Sequence, residues 1–190
     1  MRIAIVGLGG VGGYLAASFA KSGLDVTGFA RGEHLKAIQK EGVRITEDEK
    51  EWRVPLHVKH PDEAEGIYDV VMFCVKSYDL GTSCKRMQNH INADSILLSF
   101  SNGVNNGDVL CACCDARVLD GCIYILSHIE SPGVIRKKGK VFAALFGGED
   151  ERLSKLWQIY FKKPACVTKH HKISKKPCIE NIYLLPLLRH

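Results

Sequence analysis

Ile3-Ala4-Ile5-Val6-Gly7-Leu8-Gly9-Gly10-Val11-Gly12, at the start of the 190-residue chain, decides how the rest is read. Four apolar residues predict a short buried strand, and the glycines end it. From Tyr14 to Ala20 the residues are small or apolar, which predicts a helix packed closely on its surroundings. A second strand, Asp25-Val26-Thr27-Gly28-Phe29, completes a strand, turn, helix, strand unit. In that setting Gly7, Gly9 and Gly12 form the fingerprint of a dinucleotide-binding turn. Gly7 permits the tight turn, Gly9 lets backbone approach a pyrophosphate, and Gly12 lets the helix pack against the sheet. The unpaired N–H groups of the helix's first turn, with the positive end of its dipole, then face the phosphates.

Composition is that of a globular chain, 46% hydrophobic and 25% charged. No apolar run approaches the length of a membrane span, and the first apolar stretch is broken too early by glycines to be a secretory signal. A cytoplasmic protein without membrane contact is expected. The formal charge of +5 does not describe the body of the protein: from Lys162 onward the net charge is +6, leaving −1 before it. Nucleic acid is therefore not an expected partner. Eight cysteines are expected to be free thiols, because Cys111-Ala112-Cys113-Cys114 has no second pair at metal-ligand spacing nearby. No metal is expected, and no histidine pairs with a Ser or Cys as a nucleophile would require.

Strands and helices go on alternating, which predicts an α/β fold of Rossmann type, a doubly wound, mostly parallel sheet. Gly32 to Glu41 reads as a helix with Leu35 and Ile38 on one face. Val43 to Thr46 and Glu51 to Val54 flank an acidic turn as a hairpin. Asp69 to Val75 is a nearly continuous apolar run, suited to a strand buried on both faces, and Ser95 to Phe100 reads as the next buried strand. A helix runs from the polar break at Lys76 to about His90, and Asn105 or Asn106 is placed to cap the next one. Arg117 to Gly121 and Ile123 to Leu126 give a strand pair or one bent strand. Val134 to Arg136 and Val141 to Phe146 flank Lys137-Lys138-Gly139-Lys140 as a hairpin. Glu151 to Phe161 reads as an amphipathic helix and Cys166-Val167-Thr168 as a last short strand.

In such a sheet, ligands sit beyond the carboxyl ends of the strands. The glycine loop follows the first strand, Arg31 the second, Lys76 the Asp69 to Val75 strand, and Asn102 the Ser95 to Phe100 strand. All four should share one rim. Where a site for NAD usually carries an acidic residue that binds the ribose 2′-hydroxyl, this chain has the permanent cation Arg31. A guanidinium on a 2′-phosphate makes charge-assisted bonds of about 1.5 to 3 kcal/mol, which predicts a preference for NADPH of roughly tenfold to a hundredfold. Lys76 can hold a carboxylate, a phosphate or a ribose, and Asn102 can bond a carboxamide or a substrate hydroxyl without bringing charge.

Taken together, Gly7-Leu8-Gly9-Gly10-Val11-Gly12, Ala30-Arg31-Gly32, Val75-Lys76-Ser77-Tyr78-Asp79 and Asn102-Gly103-Val104-Asn105-Asn106 resemble the ketopantoate reductases (2-dehydropantoate 2-reductases). The resemblance covers about residues 1–170. It implies a cofactor site for NADPH/NADP at residues Gly7, Leu8, Gly9, Gly10, Val11, Gly12 and Arg31, with Lys76 and Asn102 around both nicotinamide and substrate. The reaction implied is hydride transfer to the ketone carbon of 2-dehydropantoate, a small 2-oxo acid, giving pantoate for coenzyme A synthesis. In the family a lysine on the first helix of a second, all-helical domain, helped by a glutamate, stabilises the developing alkoxide.

That second domain is where this sequence departs from the family. Residues 1–170 read as the NADP-binding domain, and residues 171–190 as an aberrant or truncated start of the helical substrate and dimerisation domain. The family's Trp-x-Lys helix is missing, Pro177 and Pro186 would interrupt it, and Leu184-Leu185-Pro186-Leu187-Leu188 has no polar face. No catalytic lysine or glutamate is assigned. A reading-frame slip near Lys176 would explain the tail, because permissible codons for residues 177–190 read in another frame can spell a chain resembling that helix. The alternatives to a ketopantoate reductase are an NADPH-binding module without turnover, or another two-domain NADP-dependent reductase of a related substrate. The missing half would leave apolar surface exposed, so aggregation or a homodimer through that face is expected.

Overall fold

The structure, a computed structural model, describes residues 1–146, Arg152, Cys166–Thr168 and Ile182–Leu184. The elements run β1 (Ile3–Val6), α1 (Gly10–Lys21), β2 (Val26–Phe29), α2 (Gly32–Glu41), β3 (Val43–Glu47), β4 (Lys50–Val54) and β5 (His57–Lys59). After a single 3₁₀ turn at Pro61–Glu63 come β6 (Val70–Phe73), α3 (Ser77–Met87), β7 (Ile96–Ser99), α4 (Asn106–Cys111), β8 (Arg117–Ser131) and β9 (Val134–Phe146). A separate antiparallel pair joins β10 (Cys166–Thr168) to β11 (Ile182–Leu184), so the expected last strand is followed by another. The helix expected from Glu151 to Phe161 lies outside the described residues.

Nine strands form one sheet in the order β4-β3-β9-β8-β7-β6-β1-β2-β5. From β5 to β8 it is parallel and doubly wound, with the chain starting in the middle and moving outward both ways. Strands β1, β2, β6 and β7 are buried at every residue, because helices cover both faces. Period-two alternation sorts their side chains. Ile3, Ile5, Val70, Met72, Ile96 and Leu98 pack with α1 and α2, while Ala4, Val6, Val71, Phe73 and Leu97 pack with Leu80, Cys84 and Met87 of α3 and Leu110 of α4. Strand β5 extends the sheet beyond β2 and was not foreseen, since His57-Val58-Lys59 offers one apolar residue between two polar ones.

Beyond Asp120 the second strand partnership begins. Strand β8 pairs parallel with β7 as far as Asp120, then antiparallel with β9 from Gly121 onward. Gly121 allows that crossing, because a Cβ there would meet the Ser99 carbonyl oxygen at 2.8 Å. The region is thus one long strand, as one of the two alternatives had it. The expected hairpin turn at Lys137–Lys140 is corrected: residues 134–146 are a single strand, and the β8–β9 turn falls at Pro132-Gly133, where Gly133 has φ +78°. Gly139 does mark an irregularity, but it is a bulge, since Ile125 faces Phe142 and the next residue, Leu126, faces Lys138.

The β9-β3-β4 end of the sheet curls over α1. Tyr14 packs against Phe142 at 5.5 Å and Trp52 at 6.4 Å between ring centres, and Gly13 lies under Ile135. Helix α1 is therefore enclosed, with residues 12–19 all buried. This is why its sequence is small and apolar all round rather than on one stripe.

Candidate functional site

Register fixes the rim on which a ligand would sit. Val6 lies beside Phe29 on one side and Phe73 on the other, and Phe73 beside Ser99. Four strands therefore end in line, and Gly7, Ala30, Cys74 and Phe100 leave the sheet side by side. Backbone bonds carry the ladder one step further: Gly7 N–H donates to the Phe29 carbonyl at 3.0 Å, Cys74 N–H to Val6 at 2.8 Å, and Phe100 N–H to Phe73 at 2.9 Å.

Each glycine of the first loop occupies a different environment. Gly7 has φ +93°, a conformation that disfavours any side chain. A Cβ on Gly12 would overlap the Gly7 carbonyl oxygen and approach the Cys74 Cβ at 2.9 Å. A Cβ on Gly9 would meet nothing within 4 Å. Gly9 also occupies the N-cap position of α1 without a side-chain cap, and the first turn carries no acid, so its N–H groups and dipole are unopposed. Cys74 beneath them is a packing residue, its thiol pushed up to about 12 by burial.

Beside this loop lies an open cavity of about 210 Å³. Val6, Phe29, Pro61, Val75 and Ile129 make its apolar part, and Gly7, Leu8 and Gly9 close one side. Arg31 and His34 form the α2 side, and Asp79, Thr82, Ser83 and Arg86 the α3 side. Arg31 occupies the N-cap position of α2 in extended backbone, φ −138°, with its side chain exposed. Among the described residues it has no ion-pair partner. The Gly9 opening leads to free N–H groups and the far side holds a cation, an arrangement that fits a phosphorylated dinucleotide.

Lys76 and Asn102 stand further along the same edge, outside the cavity's lining. Lys76 is exposed at the N-cap of α3, and Asn102 is exposed on the loop after β7. Their loops are joined, because Ser101 Oγ donates to the Val75 carbonyl at 2.6 Å. The Asn106 side-chain amide donates to the Ser101 carbonyl at 2.7 Å and holds that loop from behind. The expected cap of α4 is corrected accordingly: Asn105 occupies the N-cap position without a side-chain bond, and Asn106 is turned to the loop instead.

Sequence reasoning missed His34 and Arg86. His34 Nδ1 accepts the Gly133 N–H at 3.0 Å, which ties α2 to the β8–β9 turn across 99 residues. Burial holds its pKa below the ordinary histidine value, so the ring is neutral there. Its position three residues after Arg31, on the same helix face, was the available signal. Arg86 lies seven residues, about two helical turns, beyond Asp79 at the end of the Lys76 motif, and only the helical spacing of 79, 82, 83 and 86 could have pointed to it.

Residues 3–147 match the family described as ketopantoate reductase PanE/ApbA. The chain belongs to the ketopantoate reductase family. It is 29% identical to the 2-dehydropantoate 2-reductase of Mesorhizobium japonicum, over 75% of this chain and 51% of that protein. It is 28% identical to the uncharacterized oxidoreductase YkpB of Bacillus subtilis, over 77% of this chain and 48% of that one. The crystal structure of a PanE/ApbA family ketopantoate reductase from Ralstonia eutropha superposes with a TM-score of 0.76 at 27% identity, covering 84% of this chain and 54% of that one. The fold is also that of a D-mandelate dehydrogenase in a ternary structure with NADH and anilino(oxo)acetate, at TM-score 0.75 and 21% identity. The chain spans about half the length of the curated relatives it matches. None of its helices among the described residues is long and apolar enough to cross a membrane.

Proposed function

We propose that this chain is the cofactor-binding half of an NADPH-dependent 2-dehydropantoate 2-reductase, acting in pantothenate and coenzyme A synthesis in the cytoplasm. The observation that carries the reading is the cavity bounded by the glycine loop on one side and the unpaired Arg31 on another. Residues 7–12 hold the pyrophosphate on backbone N–H groups, with Gly9 leaving the approach open. Arg31 pairs with the 2′-phosphate and sets the preference over NADH. NADPH, when bound, supplies the hydride that the ketone carbon of 2-dehydropantoate accepts. Lys76 and Asn102, on loops joined through Ser101 and Val75, orient the carboxamide and the 2-oxo acid beside it. The protonating lysine and its glutamate are assigned to no residue of this chain.

A second reading is an NADPH-binding module that does not turn over. Titrating the chain with NADPH by fluorescence and then adding 2-dehydropantoate separates the two. Oxidation of NADPH at a steady rate supports the reductase, and binding without oxidation supports the module. No binding of NADPH would sink both readings. A homodimer is proposed in either case.

A further inference from the structure

The α3 wall of the cavity carries a cation that the glycine loop and Arg31 do not account for. Asp79, Thr82, Ser83 and Arg86 recur at helical spacing and line the same space as Arg31. Arg86 is poorly engaged. Its one ion contact among the described residues is Asp62 at 4.0 Å, and Asp62 is 63% exposed. A pair that long and that solvated holds the guanidinium only weakly.

Charge decides what Arg86 is for. A phosphate monoester carries about −1.5 to −2 at pH 7. Arg31 offers a single positive charge. His34, the remaining basic group of the lining, is kept neutral, since its Nδ1 accepts the Gly133 N–H. Arg86 is then the only other permanent cation of the lining. Asp79, the one carboxylate there, sits seven residues earlier on α3, about 10 Å along the helix axis. The two permanent cations of the lining thus come from α2 and α3. On the proposed reading of the cavity as an NADPH site, we infer that Arg86 is the second guanidinium of the 2′-phosphate pocket. It closes on the phosphate opposite Arg31 and exchanges the long contact to Asp62 for a charge-assisted bond.

The test measures dissociation constants of the 190-residue chain for NADPH, NADH, 2′,5′-ADP and 5′-ADP, in wild type, Arg86→Ala and Arg86→Lys. Arg86→Ala should weaken NADPH and 2′,5′-ADP about tenfold and leave NADH and 5′-ADP unchanged. Arg86→Lys should recover most of the loss, and the wild-type advantage should shrink with added salt. Circular dichroism checks that the variants fold, as expected for a side chain 41% exposed. Equal weakening of NADPH and NADH would overturn the inference in favour of contact with the adenine. Unchanged NADPH affinity would also overturn it. Failure of the wild type to bind any of the four ligands would instead overturn the cavity reading itself, and this inference with it.

Discussion

Gly12 sits so close to the Gly7 carbonyl that a methyl group on its Cα would overlap that oxygen. Gly9, three residues away, faces open space. The two positions therefore separate packing from binding within one motif. Gly12→Ala forces backbone apart and should lower stability by about 3 kcal/mol, visible as a fall of the urea midpoint. Gly9→Ala should leave that midpoint nearly unchanged, since its φ of −68° suits any residue. Its methyl group would stand in the cavity and weaken NADPH binding about tenfold or more. Comparable losses of stability in both variants would contradict the separation.

His34 makes stability depend on pH. Its Nδ1 must be unprotonated to accept the Gly133 N–H, and burial lowers its pKa in the folded chain. The unfolded chain then binds the proton more readily. This contribution is fully present above the ordinary histidine value of about 6.5 and is lost as pH falls from there through the folded value. Urea midpoints should fall between pH 7.5 and pH 5.5, and His34→Gln should flatten that slope while costing about 1 kcal/mol at neutral pH. An equal slope in the variant would assign the titration elsewhere.

Ser101 couples the loops that carry Lys76 and Asn102. Removing its hydroxyl leaves the Val75 carbonyl without this partner, at a cost of about 1 kcal/mol. Ser101→Ala should raise amide hydrogen exchange in residues 100–106 and leave exchange in β1 and α1 unaffected. Uniform exchange in the two proteins would mean that the bond does not hold the loop.

The parallel core was legible in the sequence because its signals are local. Ile3 to Val6 and Val70 to Phe73 are apolar throughout and Ile96 to Leu98 nearly completes a third such run, while Gly7 takes the positive φ of a tight turn and Gly12 the close approach read for it. The β8–β9 hairpin was misplaced because Lys137-Lys138-Gly139-Lys140 has the composition of a turn, whereas pairing with residues 117–131 makes it a bulge. Tertiary pairing overrode local chemistry there. Strand β5 is too short to announce itself and exists because β2 offers an edge. In the site, Arg31 was visible from its position after β2. His34 was not, because its partner Gly133 lies 99 residues away, and Arg86 was not, because a helix wall has no motif.

On the proposed reading, Arg31, at the end of β2, makes this cavity a site for NADPH. The direct measurement is the ratio of NADH to NADPH dissociation constants in the wild type and in Arg31→Ala. A wild-type ratio of about ten or more, falling several-fold on substitution through weaker NADPH binding alone, is the predicted result. A ratio that Arg31→Ala leaves unchanged would contradict the account.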